Sequence, residues 1–230
     1  MRWVAVTVCA LAAASASAAG KPAAICPPSL PASLATGKST QLVTVVAPTR
    51  ASTRGTVRLW SRRTGCWRGV AGRWTAWLGG RGTSPAKREG DVRTPSGVFG
   101  IGRTLYGIAP DPGVRYRYRR IVCGDWWVED PASPWYNRFR HVPCGSKPPF
   151  RTTSEDLSRS PTAYRHFAFI RYNADPVVPG RGSGIFLHVS TGRPTLGCVS
   201  LPLAELRATL RWLRPANAPK IAIGTLADLR

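Results

Sequence analysis

Glycine and proline, 23 and 21 of the 230 residues, recur along the whole chain, and that recurrence limits what it can fold into. Proline removes a backbone donor and clashes with the preceding helical turn, and glycine raises the entropic cost of any regular element, so long uninterrupted helices are excluded. Between the breaks lie short β-prone runs at 41–47, 56–62, 74–78, 121–128, 167–172 and 184–189. Runs of this length bounded by turn-forming clusters, such as Gly79-Gly80-Arg81-Gly82 and Gly180-Arg181-Gly182-Ser183-Gly184, read as strands. One segment differs: over 202–213, Leu203, Leu206, Leu210 and Leu213 recur at spacings of three and four, with Glu205, Arg207 and Arg211 between them. That periodicity predicts an amphipathic helix, with Pro202 in its first turn and Pro215 just past its end. A closing strand is expected at 220–223. The fold class is therefore mainly β with one or two short helices, and with 43% hydrophobic residues the span 41–230 suffices for a single well-cored domain.

The N-terminus has the form of a secretory signal over residues 1–18: Arg2 is the positive region, 3–14 are apolar, and Ala16-Ser17-Ala18 is a small-residue cleavage site. Residues 19–40, rich in Ala, Pro, Ser and Thr, are expected to form a flexible lead. No later apolar stretch is long enough to span a bilayer, so no stable membrane span is expected after cleavage. Export changes what the cysteines mean, because thiols in an oxidising compartment tend to pair. Once Cys9 leaves with the signal, Cys26, Cys66, Cys123, Cys144 and Cys198 remain. Four can form two bridges in three ways; the arrangement preferred here is Cys26 with Cys66 and Cys123 with Cys144, leaving Cys198 as a free thiol.

The net charge of +22, from 33 Lys and Arg against 11 Asp and Glu, fits an anionic partner. Export favours anionic wall polymers or acidic envelope lipids over nucleic acid, although the same charge also serves solubility.

The chemistry concentrates between 184 and 202. Strand alternation puts Ile185, Leu187 and Val189 on one face and Phe186 and His188 on the other. Ten residues after His188 comes Cys198, preceded by Gly197, and the loop between is long enough to fold back beside the strand. A thiol is mostly protonated near neutral pH, so acyl transfer requires a nearby base to favour the thiolate and later return the proton, a role that suits His188. Gly197 permits close backbone approach, and its N–H with that of Cys198 can face the oxyanion formed on a carbonyl.

These residues carry a family resemblance. His188 followed by Thr195-Leu196-Gly197-Cys198 resembles the signature of the L,D-transpeptidase catalytic domain, also called the YkuD family. Upstream, Lys87-Arg88-Glu89-Gly90-Asp91 with Thr94-Pro95-Ser96-Gly97-Val98-Phe99 is similar to the family's EGD-x-x-TP-x-G-x-F element. Glu129-Asp130-Pro131, Tyr136-Asn137 and Tyr164 resemble segments of a long-chain branch. The resemblance implies a β-sandwich-like catalytic domain acting on peptidoglycan stem peptides in the periplasm or cell wall of a bacterium, with no cofactor and no metal. It implies a thioester on Cys198, proton transfer by His188, and the Val189 backbone carbonyl orienting the imidazole. It also implies 3→3 cross-links made by transfer to an amine, with Thr195, Tyr164 and Asp91 contacting substrate. The chain departs from the pattern at Leu196, where many members have a second His, and at Ser200, where Arg or Asn is common, which leaves transfer to water open.

Other residues read as structural. Asp125, Glu129 and Asp130 are expected to form a salt-bridged surface rather than a cation site, because no His or further carboxylate lies at a useful spacing. Trp126, Trp127, Trp135 and Tyr136 are expected to fill core beneath a bridged loop, and Arg193 to be a solvated loop charge.

Overall fold

The structure is a computed structural model that describes Met1, Trp3 and residues 26–151 and 154–230. The expected signal segment and the first part of the lead, up to residue 25, otherwise lie outside the described residues. The chain opens with a meander of β1 (Gln41–Val46), β2 (Arg54–Arg63) and β3 (Cys66–Trp77). A short parallel pair, β4 (Thr83–Ser84) and β5 (Thr94–Pro95), leads into the long β6 (Gly97–Gly107) and then β7 (Arg117–Arg120). A separate three-stranded antiparallel sheet follows, made of β8 (Asp125–Val128), β9 (Arg138–His141) and β10 (Glu155–Asp156). The chain re-enters the main sheet with β11 (Phe167–Ile170), β12 (Phe186–Val189) and β13 (Val199–Leu201), and ends with helix α1 (Leu203–Trp212) and β14 (Lys220–Gly224).

The main sheet runs in the order β11-β12-β13-β3-β2-β1-β14-β6-β7, and β6 also pairs with β11, so the sheet returns on itself. The two layers of the expected sandwich are thus parts of one closed sheet. Its interior is filled by Val43, Val45, Val57, Leu59, Leu105, Leu187, Val199, Leu201 and Ile221, together with Leu206, Leu210 and Leu213 of the helix region. β1 is buried on both faces, since Leu42 points the other way into a cluster with Trp60, Trp67, Ala222 and Leu229. That explains its unbroken QLVTVV run, which lacks the alternation of a half-exposed strand.

The helix forms where its leucine spacing predicts, with Pro202 at the N-cap and Pro215 opening a short 3-10 turn beyond. The strand expected at 74–78 is the end of a longer one, whose first part is mostly exposed and carries no apolar alternation. The run expected at 121–128 is a strand only from Asp125 onward; Cys123 and Gly124 form a turn tied by the Cys123–Cys144 bridge. β6 escapes sequence reading because glycines interrupt it. Gly102 shows why they are there: a Cβ would sit 3.2 Å from that of Phe169, so the side chain is given up to let β11 approach.

Both preferred disulfides are present, Cys26–Cys66 and Cys123–Cys144, and Cys198 is free. Of the expected lead, residues 26–40 lie against the sheet: Leu30 and Leu34 pack on the Trp60 and Trp67 cluster, and Thr36 and Ser39 are buried. No helix among the described residues is long and apolar enough to cross a membrane.

Because Leu210 is fully buried where the helix seals the sheet, Leu210→Ala should destabilise the fold by about 3 kcal/mol, measured by urea unfolding.

Candidate active site

The site rests on the strand crossing that joins β12 to β13. These strands are parallel, with Leu187 opposite Val199 and His188 opposite Ser200. Cys198 immediately precedes β13, so it falls beside Phe186, one step of alternation from His188 and on the same side of the sheet. The aliphatic residues Ile185, Leu187 and Val189 face the main core, as the alternation predicts.

The turn that carries Cys198 is held from several directions. The Cys198 carbonyl accepts hydrogen bonds from Thr195 Oγ1 at 2.7 Å and Thr94 Oγ1 at 3.2 Å. Thr94 Oγ1 also accepts from the Gly79 N–H at 2.7 Å, and the Thr195 backbone pairs with Leu78 and Gly80. Thr195 Oγ1 in addition accepts from the Gly197 N–H at 3.1 Å. Thr195 thus shapes the turn, and the Gly197 N–H, expected as an oxyanion donor, is engaged within it.

The sulfur is held by backbone. It accepts from the Phe186 N–H and donates to the Gly184 carbonyl, each at 3.3 Å. The His188 Nδ1–H donates to the Val189 carbonyl at 2.8 Å, which leaves Nε2 as the basic nitrogen of a neutral ring. Tyr164 is buried and packs edge-on against the His188 ring at 5.9 Å, between it and the aromatic cluster of Phe167 and Phe186. Its hydroxyl faces Glu155, and burial together with that proximity raises the phenol well above its usual range.

Thiol and imidazole open into one cleft of about 710 Å³ whose walls include Lys87, Glu89, Glu129, Glu155, Tyr164 and Leu196. Leu196 is exposed at its rim, and Arg193 lines it as an exposed loop residue. Asp91 does not line it. Instead its carboxylate binds the Lys87 ammonium at 2.7 Å and the N–H groups of Arg88 and Arg93, clasping the loop.

Glu129 departs from the salt-bridged surface expected of it. Asp125 is buried between Arg119 and His141, and Asp130 lies near Arg151, but Glu129 faces the cleft. Burial, with Glu155 and Glu89 nearby, pushes its carboxyl up to about 8. Gly184 makes room for it: the backbone there has φ +60, and a Cβ would lie 2.0 Å from Glu129 Oε1. Neither Glu129 nor Glu155 was singled out for a role from sequence; the only signal was the Glu129-Asp130-Pro131 segment. The tryptophans behave as expected, with Trp127 in the aromatic core and Trp126 and Trp135 packed with Val128, Val142 and Phe150.

Burial sets the protonation of the pair. It raises the Cys198 thiol well above its usual range, aided by Glu155 and Glu129, and it lowers His188 to about 4. The resting pair is thus a thiol and a neutral imidazole. No group of three or more His, Cys, Asp or Glu among the described residues is arranged to hold a metal ion.

The family model of the L,D-transpeptidase catalytic domain (YkuD) matches residues 49–223. No curated protein matches the sequence. Among solved structures, the helical cell shape determining protein Pgp2 from Campylobacter jejuni aligns at 14% identity and a TM-score of 0.39, covering 85% of this chain and 54% of that one. The chain thus spans about half the length of that protein.

Two outcomes follow from this geometry. Gly184→Ala should cost about 1–3 kcal/mol, through the positive φ and the overlap with Glu129, and adding Glu129→Ala should recover part of the loss in a double-mutant cycle of thermal unfolding. The second outcome concerns acid. Burial favours neutral His188 in the fold, so between the ordinary value of 6.5 and about 4 the unfolded chain binds more protons. Stability should be full above pH ~6.5 and fall as the pH drops towards ~4; His188→Gln should remove part of that slope from the profile of melting temperature against pH, the rest coming from buried His166, which is also lowered to about 4.

Proposed function

The chain belongs to the L,D-transpeptidase catalytic-domain family, and from that premise we propose that it is an exported cysteine acyltransferase that cross-links peptidoglycan stem peptides. The observation that carries this reading is the placement of the one free thiol among the described residues and the Val189-oriented imidazole of His188 on the same side of adjacent strands, opening into one cleft. Family membership supports action on peptidoglycan, and the two disulfides support a site outside the cytoplasm.

In the resting state Sγ is turned to the Gly184 carbonyl. When a stem peptide enters, rotation about χ1 frees the S–H from that carbonyl and turns it towards His188 Nε2, which takes the proton. The sulfur then adds to the carbonyl of the third stem residue, forming the C–S bond while the C=O π pair moves to oxygen. Collapse breaks the C–N bond, and the imidazolium Nε2–H returns its proton to the departing terminal D-amino acid. An amine of a second stem adds to the thioester, His188 removes its proton, and Cys198 leaves and is reprotonated. Val189 O holds Nδ1–H throughout, so the same nitrogen exchanges the proton at each step.

Incubation with disaccharide-tetrapeptide muropeptides should give a covalent adduct on Cys198 by mass spectrometry and dimers with 3→3 linkages. Cys198→Ala should lose both, and a Cys198→Ala variant that still cross-links would sink the proposal. Shortened stems without dimers would place water in the role of acceptor. His188→Gln should reduce turnover about 10²–10⁴-fold, measured at saturating donor.

A further inference from the structure

The oxyanion site is short of one expected donor, because the Gly197 N–H is already bound to Thr195 Oγ1. A different donor lies beside it. The Lys87 side chain is only 3% exposed, yet it lines the cleft. Its ammonium sits against Gly197, where a Cβ would lie 3.3 Å from Nζ. Two of its hydrogens are committed, to Asp91 Oδ1 at 2.7 Å and to the Arg88 carbonyl at 3.2 Å. An ammonium has three, so one remains. The aliphatic stem is fixed as well: a Cβ on Gly182 would approach Lys87 Cε to 3.0 Å. The donor is therefore pre-organised and requires no ordering when charge appears nearby.

We propose that Lys87 is a catalytic residue of this cleft, whose free N–H hydrogen-bonds to the oxyanion formed when the Cys198 sulfur adds to the peptide carbonyl, in place of the Gly197 N–H. The proposal rests on the reading of Cys198 as nucleophile. No proton is transferred from Lys87. As the C–S bond forms, the π pair moves to oxygen and the N–H···O contact strengthens; as the carbonyl re-forms and the C–N bond breaks, it weakens. The other charged groups of the cleft are Glu89, Glu129 and Glu155 on its walls and exposed Arg193 in its loop. Carboxylates near the reacting atoms oppose a developing negative charge, Glu129 least of them because its carboxyl is pushed up to about 8 and is mostly neutral near pH 7. Of the two cleft cations, Lys87 alone is fixed from below, and Glu89 is tied up by Ser183 and Tyr136.

Lys87→Met and the double variant Lys87→Met/Asp91→Asn, which avoids an unpaired carboxylate, are to be assayed for turnover of a disaccharide-tetrapeptide and for alkylation of Cys198 by iodoacetamide. Alkylation passes through no oxyanion, so it reports on the thiol, the imidazole and the small push that the Lys87 charge gives the thiolate, and not on oxyanion binding. The expected result is a kcat/KM reduced about 10²–10³-fold in both variants, with alkylation within about threefold of wild type and melting temperature retained in the double variant. Partial rescue of Lys87→Ala by added ethylammonium is expected too. Turnover within threefold of wild type, or turnover, alkylation and melting temperature falling together in both variants, would overturn the proposal. An active Cys198→Ala variant would instead overturn the underlying reading, so the two failures are distinguishable.

Discussion

The Cys198 carbonyl, held at once by the hydroxyls of Thr94 and Thr195, is the contact on which the site depends. One hydroxyl comes from the turn that carries Cys198 and the other from a segment about a hundred residues upstream. Thr94 is fully buried and also takes the Gly79 N–H, so three distant stretches of backbone meet at one oxygen. The Cα of Cys198 is fixed through this carbonyl, and the sulfur is held separately by the Phe186 N–H and the Gly184 carbonyl. This gives the upstream Thr-Pro element a physical purpose that its appearance as an ordinary turn does not suggest.

The charge distribution inverts that of the chain. A protein with 33 basic residues against 11 acidic ones gathers three glutamates around its thiol, and the cations that reach the cleft are Lys87 and Arg193. The glutamates and burial act in the same direction, keeping the sulfur protonated at rest, while burial alone keeps the imidazole neutral.

Much of this was legible in the sequence, because it rests on short-range rules. Alternation aimed His188 away from the aliphatic core, the leucine spacing gave α1, and cysteine parity isolated Cys198. What was hidden depends on long-range approach. β6 is a strand whose glycines read as breaks, because nothing local reveals that Phe169 will occupy the space of the missing side chain at Gly102. No local pattern shows that Asp91 pairs with Lys87, or that Glu129 turns from the surface to the cleft. The Gly197 N–H was assigned by position in the turn, and no one-dimensional rule anticipates that a neighbouring threonine will claim it.

The protonated, backbone-bound state of Cys198 has a consequence for the rest of the molecule's covalent chemistry. Disulfide exchange is initiated by thiolates, and a sulfur that is neutral and pinned between Phe186 and Gly184 is a poor attacker. With the turn closed, Cys198 stands apart from the four paired cysteines among the described residues. The closed turn thereby separates the Cys198 thiol from the Cys26–Cys66 and Cys123–Cys144 bridges chemically as well as in space.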